Sequence, residues 1–197
     1  MMYIKIKRLF DIILSLLGLI IISPVFLVII IAIKIDSDGP AIFKQKRIGI
    51  HKRQFNILKF RTMRIDTPRD IPTHMLKNSE YYITRVGKIL RITSLDELPQ
   101  ILNVLKGEMS IIGPRPALWN QYDLIEEREK YGANGVPVGL TGWAQINGRD
   151  ELPIEVKAKF DGEYVEKMSL WFDLMIFFKT IFNVIKAKGI KEGASKS

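Results

Sequence analysis

The sequence predicts an α+β fold, mostly helical, with an N-terminal re-entrant membrane helix-break-helix, a small β-hairpin, and a globular region carrying interfacial amphipathic helices. Three observations carry that expectation. An apolar run over residues 12–33 is interrupted near its midpoint by Ser23-Pro24. Two strand-like runs, residues 41–48 and 54–63, flank a polar turn. A second apolar run, residues 170–186, holds Trp171, Phe172, Phe177, Phe178 and Phe182, yet is short for a comfortable span.

The first run has 22 residues, about 33 Å at the helical rise, which is enough to cross a bilayer. Pro24 removes an amide donor and crowds the preceding turn, at about 3 kcal/mol in a helix interior. Ser23 can ease a bend by bonding a freed backbone group. Lys5, Lys7 and Arg8 precede the run, and Lys34, Lys44, Lys46 and Arg47 follow it. Basic flanks on both sides give no asymmetry to orient a span. A helix that enters one leaflet, turns at Ser23-Pro24 and leaves by the same face satisfies both observations; a kinked spanning helix is the alternative.

The charge is uneven. Of a net +9, residues 1–64 hold all the excess, with 12 Lys/Arg against 3 Asp/Glu. Anionic headgroups attract such a segment. Nucleic acid is the competing partner, ranked lower because a solvated DNA-binding domain has no use for a long apolar start; no nucleic acid is expected. The chain has no cysteine, which excludes a disulfide framework, a thiolate metal site and a thiol nucleophile. The apolar run exceeds a signal-peptide core and lacks a small-residue cleavage site after it, so no cleaved leader is expected.

Residues 36–40 (Asp-Ser-Asp-Gly-Pro) form the exit turn. In the second strand Phe55, Ile57, Lys59 and Arg61 share one face by period-two geometry. Residues 66–79 read as a loop. Residues 98–106 read as a helix stopped by Gly107, residues 122–131 as a charged, exposed helix, and residues 154–168 as another despite Gly162. The run 170–186 is expected to lie along a membrane surface, with a buried core helix as the alternative. The division expected is residues 1–36 as the membrane hairpin, 37–190 as the domain resting on the membrane face, and 191–197 as a disordered tail.

Three segments can carry chemistry. In Thr93-Ser94-Leu95-Asp96-Glu97-Leu98-Pro99, Ser94 and Glu97 have capping-box spacing. Pro99 would then fall where an amide donor is wanted, so a helix start nearer Asp96 is expected, with the acidic pair at its electropositive mouth. In Gly113-Pro114-Arg115-Pro116, two prolines restrict the backbone around a guanidinium suited to an anion, or simply make a rigid turn. Residues 139–149 (Gly-Leu-Thr-Gly-Trp-Ala-Gln-Ile-Asn-Gly-Arg) have the composition of a loop gripping a polar, phosphorylated ligand. His51 and His74 lie in polar loops and form no metal cluster or triad.

These motifs, in this order, resemble the monotopic phosphoglycosyl transferases, the small bacterial sugar-phosphate transferases. The similarity runs from about Tyr3 to Gly189. It rests on Lys7-Arg8-x-x-Asp11, Ser23-Pro24, Lys59-Phe60-Arg61-Thr62-Met63 and Ser94 to Leu98. Asn103-Val104-Leu105-Lys106-Gly107, Gly113 to Pro116 and Thr141 to Arg149 complete it. The resemblance implies transfer of a sugar 1-phosphate from a UDP-sugar to polyprenyl (undecaprenyl) phosphate with release of UMP, the first membrane step of glycoconjugate or polysaccharide assembly. It implies Mg2+ as cofactor, with Asp96 a metal ligand. It implies Asp96 as nucleophile, through a covalent aspartyl phosphosugar, and Glu97 as its partner assisting the acceptor.

Under that resemblance Arg91 and Arg115 are expected on phosphates, Lys59 and Arg61 on a headgroup or second phosphate, and Gln145, Asn147 and Arg149 on nucleotide or sugar. The partners implied are a UDP-sugar donor, polyprenyl phosphate and membrane lipid, at the bacterial cytoplasmic membrane with the domain facing the cytoplasm. One departure stands out: Pro137-Val138 occupies the place where the family usually has Arg-Pro, which bears on donor preference. A membrane-anchored scaffold or regulator without catalysis is the competing reading; it needs the hairpin but not the acidic dyad.

Overall fold

The computed structural model describes residues 2–68, 79–148 and 152–185. Helix α1 (Met2–Asp36) is a single helix that carries Pro24 inside it. Pro24 has no N–H for the Ile20 carbonyl, and Ser23 Oγ donates to that same oxygen at 2.9 Å. The helix-break-helix expected at Ser23-Pro24 is not seen: the backbone stays helical through it, with a side chain bonding the carbonyl that lacks its amide partner. By length and composition α1 is able to cross a membrane.

Both halves of α1 nevertheless rest on the same globular body. Near its start, Lys7 pairs with Asp173, Arg8 donates to the Val104 and Leu105 carbonyls, and Asp11 Oδ1 accepts from the Ile111 amide. Gly18 permits close approach of Ile101. Beyond Pro24, Phe26, Ile29, Ile30 and Ile33 pack with Ala41, Phe60 and Leu90, and Asp36 Oδ2 accepts from the Val86 amide. Lys7, Asp11, Ser15, Ile29 and Ile33 are buried, whereas Ile20, Ile21, Leu27 and Val28 on other faces stay largely exposed.

Strand β1 (Ile42–Ile48) pairs antiparallel with β2 (Gln54–Phe60), from Ile42 opposite Phe60 to Ile48 opposite Gln54. Their turn holds a short 3-10 segment, Ile50–Lys52, with His51 and Lys52 at positive φ. Helix α2 (Ser79–Tyr82) precedes α3 (Arg85–Ile92), which Thr84 caps by accepting the Gly87 amide. A Cβ on Gly87 would meet the Thr62 backbone, so glycine lets α3 lie against the chain leaving β2.

Helix α4 (Gln100–Lys106) ends at Gly107 with φ 84°, the expected left-handed stop. Strand β3 (Ser110–Ile112) pairs in parallel with β5 (Gly139–Thr141), and β4 (Ala117–Leu118) joins β1 to give the order β2-β1-β4. Helices α5 (Tyr122–Glu129), α6 (Trp143–Ile146), α7 (Ile154–Lys167) and α8 (Leu170–Ile185) complete the described chain. Gly162 sits inside α7 because Tyr131 packs there: a Cβ would lie 2.7 Å from that of Tyr131.

Helix α8 is buried along one face only. Ile176 is inaccessible and Asp173 is bonded by Lys7, Tyr3 and Tyr164. On the other side Trp171 is 81% exposed, beside exposed Leu174, Phe178, Ile181 and Phe182. That spacing is one helical stripe. Most of the loop expected at 66–79, the tail at 191–197, His74 and Arg149 lie outside the described residues.

Candidate active site

The site is built on the turn between α3 and α4. Ser94 takes a left-handed conformation, φ 56° and ψ 16°, and its side chain makes no cap bond, so the capping box suggested by its spacing is not formed. A non-glycine residue held there costs of order 1 kcal/mol, a strain typical of functional turns. A 3-10 turn, Leu95–Glu97, follows, with Pro99 heading α4. Leu95 and Leu98 pack on the core formed with Ile29 and Ile33 of α1. Hydrophobic anchors on either side thus hold Asp96 and Glu97 on a turn that packs against the second half of α1.

Three cations converge on this pair. Lys59 Nζ donates to Glu97 Oε1 at 2.7 Å and lies 3.9 Å from Asp96 Oδ2. Arg115 Nη2 donates to the same Glu97 oxygen at 3.0 Å. Arg91, fixed by its Nε donation to Thr62 Oγ1 at 2.9 Å, adds its charge near Asp96. The two carboxylates respond in opposite directions. Burial raises Asp96 above its ordinary value, with the Glu97 charge adding and the Lys59, Arg91 and Arg115 charges opposing. Burial also works to raise Glu97, but the charges and hydrogen bonds of Arg115 and Lys59 outweigh it and hold that carboxyl well below the usual range. Neighbouring acids with divergent ionisation mark divided chemical roles.

Each cation has its own mount. Lys59 sits on β2, whose outer edge has no strand partner among the described residues. Asn103 of α4 takes that place: its Oδ1 accepts the Leu58 amide at 3.0 Å, and its Nδ2 donates to the Asn56 carbonyl at 2.8 Å and Glu108 Oε2 at 2.7 Å. An amide side chain with one acceptor and two donors matches a strand edge, and here it couples Lys59 to the helix that begins beside the dyad. Arg115 rides on a loop held by glycines. Cβ atoms on Gly113, Gly139 or Gly142 would collide with facing backbone, and Gly113 N donates to Thr141 O at 2.8 Å.

Several expected contacts are placed elsewhere. Arg61 follows the end of β2, and its guanidinium donates to the Asp38 and Ser37 carbonyls and to Ser37 Oγ, clamping the exit turn of α1. The period-two face shared with Lys59 ends with the strand. Trp143 packs with Phe160 and Phe172 and donates to Glu163, so the aromatic of the 139–149 loop is a core anchor. Gln145 is buried, with Nε2 3.4 Å from Leu140 O, and Asn147 Nδ2 donates to Trp143 O on the surface. Val138, in the departing Pro137-Val138, is buried in the core with Ile57, Val104 and Met109.

The helix over 122–131 was expected to be exposed, but it buries Leu124 and Arg128. Arg128 faces Asp161, and helices α5 and α7 are joined through them. A lone arginine one turn after Leu124 was the available signal. Among the described residues no group of three or more His, Asp or Glu is arranged to hold a metal. Mg2+ commonly takes only one or two carboxylates and completes its shell with substrate phosphates and water. Asp96 suits that arrangement better than Glu97, whose Oε1 already accepts from two cations.

The sequence profile of the family described as bacterial sugar transferase matches residues 2–187. The chain is 44% identical over 184 residues to the UDP-glucose:undecaprenyl-phosphate glucose-1-phosphate transferase of Escherichia coli (strain K12), covering 89% of this chain and 39% of that protein. It is 39% identical to the uncharacterized sugar transferase EpsL of Bacillus subtilis (strain 168), covering 94% of this chain and 90% of that one. The exopolysaccharide production protein ExoY of Sinorhizobium fredii is 38% identical, with 93% and 87% covered. The chain thus spans about two fifths of the E. coli relative and nearly the whole of EpsL. With almost its full length matched, the chain belongs to the bacterial sugar transferase family.

Proposed function

We propose that this chain transfers a sugar 1-phosphate from a UDP-sugar to polyprenyl phosphate, giving polyprenyl-diphospho-sugar and UMP. The observation that carries the reading is Asp96 and Glu97 presented together among Lys59, Arg91 and Arg115. Relatives named as UDP-glucose:undecaprenyl-phosphate glucose-1-phosphate transferases support the donor and acceptor classes.

In the first step an Asp96 carboxylate oxygen attacks the sugar-bearing phosphorus of the donor. The new bond joins Asp96 to that phosphorus, the bridging P–O bond breaks, and its electron pair leaves on UMP. In the second step an oxygen of polyprenyl phosphate attacks the same phosphorus and the aspartyl–phosphorus bond breaks, restoring Asp96. Splitting the reaction suits one substrate from water and one from lipid. At neutral pH a phosphate monoester is already largely dianionic, with its second pKa about 6, so the acceptor needs no strong base. Glu97, ionised and strongly held, is a weak base; it organises Lys59 and Arg115, whose donors then meet phosphate oxygens. Bound Mg2+ would neutralise diphosphate charge and ease UMP departure, and Asp96 would be its protein ligand.

The same frame supports a membrane arrangement. Contacts of α1 with one body both before and after Pro24 favour a re-entrant helix over a span, since a spanning helix leaves the protein's water-facing side. With the outward stripe of α8 also in the interface, the dyad sits at the water–lipid boundary on the cytoplasmic face, where a soluble nucleotide sugar meets a lipid phosphate. The place in metabolism is the first membrane step of polysaccharide or glycoconjugate assembly.

The test is UMP release from a panel of UDP-sugars with polyprenyl phosphate and Mg2+. Release from at least one donor, lost in a folded Asp96→Asn variant, is expected. Silence across the panel, or full activity in that variant, overturns the proposal.

A further inference from the structure

The most deeply buried ion pair among the described residues plays no part in the steps above. Arg128 and Asp161 have side chains only 4% and 1% exposed. Arg128 donates from Nε to Asp161 Oδ2 at 2.8 Å, and Nη2 lies 2.6 Å from the same oxygen. Nη2 also donates to the backbone carbonyl of Arg115 at 2.9 Å. That carbonyl belongs to a loop with few ways of being held. Prolines on both sides of Arg115 leave the loop short of amide donors, so its fixing points are carbonyls.

All three consecutive carbonyls are taken: Pro114 O by the Gly139 amide at 2.8 Å, Arg115 O by Arg128, and Pro116 O by Arg47 Nη1 at 3.0 Å. The middle one lies on the residue whose guanidinium reaches Glu97.

We propose that Arg128, itself held by Asp161, is a positioning residue for Arg115: it fixes the backbone from which the Arg115 guanidinium meets Glu97 and, during the reaction, phosphate oxygens. The assignment of phosphate as the anion rests on the function proposed above; the mounting of Arg115 does not. A guanidinium is needed because its planar fork can serve a carboxylate and a carbonyl at once, which a single ammonium on a flexible stem does less well. Displacement of a positioning group by about 1 Å can cost about 100-fold in rate.

The test is a double-mutant cycle joining Arg128→Lys with Arg115→Ala, read as kcat/KM for UMP release and, in parallel, as affinity for UDP by calorimetry. Arg128→Lys is expected to lower both readouts about tenfold when Arg115 is present and less than twofold when it is absent. Equal losses in both backgrounds would show that Arg128 serves only general packing and would overturn the proposal. If Arg128→Lys does not keep a cooperative melt, the double variant Arg128→Gln/Asp161→Asn, which removes the buried charges together, enters the same cycle under the same criterion. Should the wild type release no UMP from any donor, the proposed reaction fails by itself. The UDP-affinity cycle then decides the positioning role, non-additive losses sustaining it and equal losses removing it.

Discussion

Replacing Asn103 by leucine separates the mount of Lys59 from its volume. The asparagine side chain is inaccessible and makes three hydrogen bonds, to the Leu58 amide, the Asn56 carbonyl and Glu108. Leucine keeps similar bulk but offers no partner to any of them. Each bond contributes about 1 kcal/mol net, and a buried donor left unpaired adds about 1–3 kcal/mol. Leu58 is itself buried at 9% exposure, so its amide has little access to water. The expected loss is about 3–5 kcal/mol, or roughly 6–20 °C in melting temperature for a chain of this size. Thermal unfolding in detergent micelles or nanodiscs measures it. A fall of less than about 2 °C would mean that the β2 edge is satisfied without Asn103, and the account of how Lys59 is held would be wrong.

Two further outcomes follow from the site and the membrane element. Asp96 attacks only when ionised, and burial raises its carboxyl above the ordinary 3.8; kcat/KM should therefore fall on acidification through that raised value. Lys59→Met removes a charge that opposes the shift, so the acid limb moves to higher pH, and a limb that stayed in place or moved lower would contradict the assignment. Because the chain has no cysteine, Lys5→Cys near the start of α1 and Lys44→Cys beyond its end give unambiguous labelling sites. An impermeant thiol reagent should reach both from the same side of sealed vesicles, while labelling from opposite sides would establish a true span.

Local signals carried much of the architecture. The apolar run, the hairpin around residues 49–53, the Gly107 stop and the helices beginning at Ile154 and Leu170 all depend on neighbours in sequence, and all are present. The convergence of Lys59, Arg91, Arg115, Asp96 and Glu97 was legible only through the order of motifs, since four separate segments supply them. What sequence reading passed over is non-local or very short. Strands β3 and β5 have three residues each and pair across the intervening α5. Helix α3 is two turns long.

Arg61 misled because alternation holds only while the strand lasts, and β2 ends at Phe60. Trp143 misled because an aromatic in a glycine-rich loop reads as a ligand contact until Phe160, Phe172 and Glu163 are seen around it. Arg128 was hidden by its acidic neighbours: a helix reading Glu-Glu-Arg-Glu looks solvated, and only Asp161, 33 positions on, shows where the arginine goes.

The account turns on Asp96 as the atom donor of the covalent link. Incubating the protein with a competent UDP-sugar and Mg2+ in the absence of polyprenyl phosphate, then measuring intact mass and mapping peptides, tests it most directly. The expected result is a mass gain of one sugar phosphate, located on Asp96, absent from Asp96→Asn and discharged when polyprenyl phosphate is added. An adduct on another residue, or UMP formation in a single turnover that leaves the protein unmodified, would contradict it.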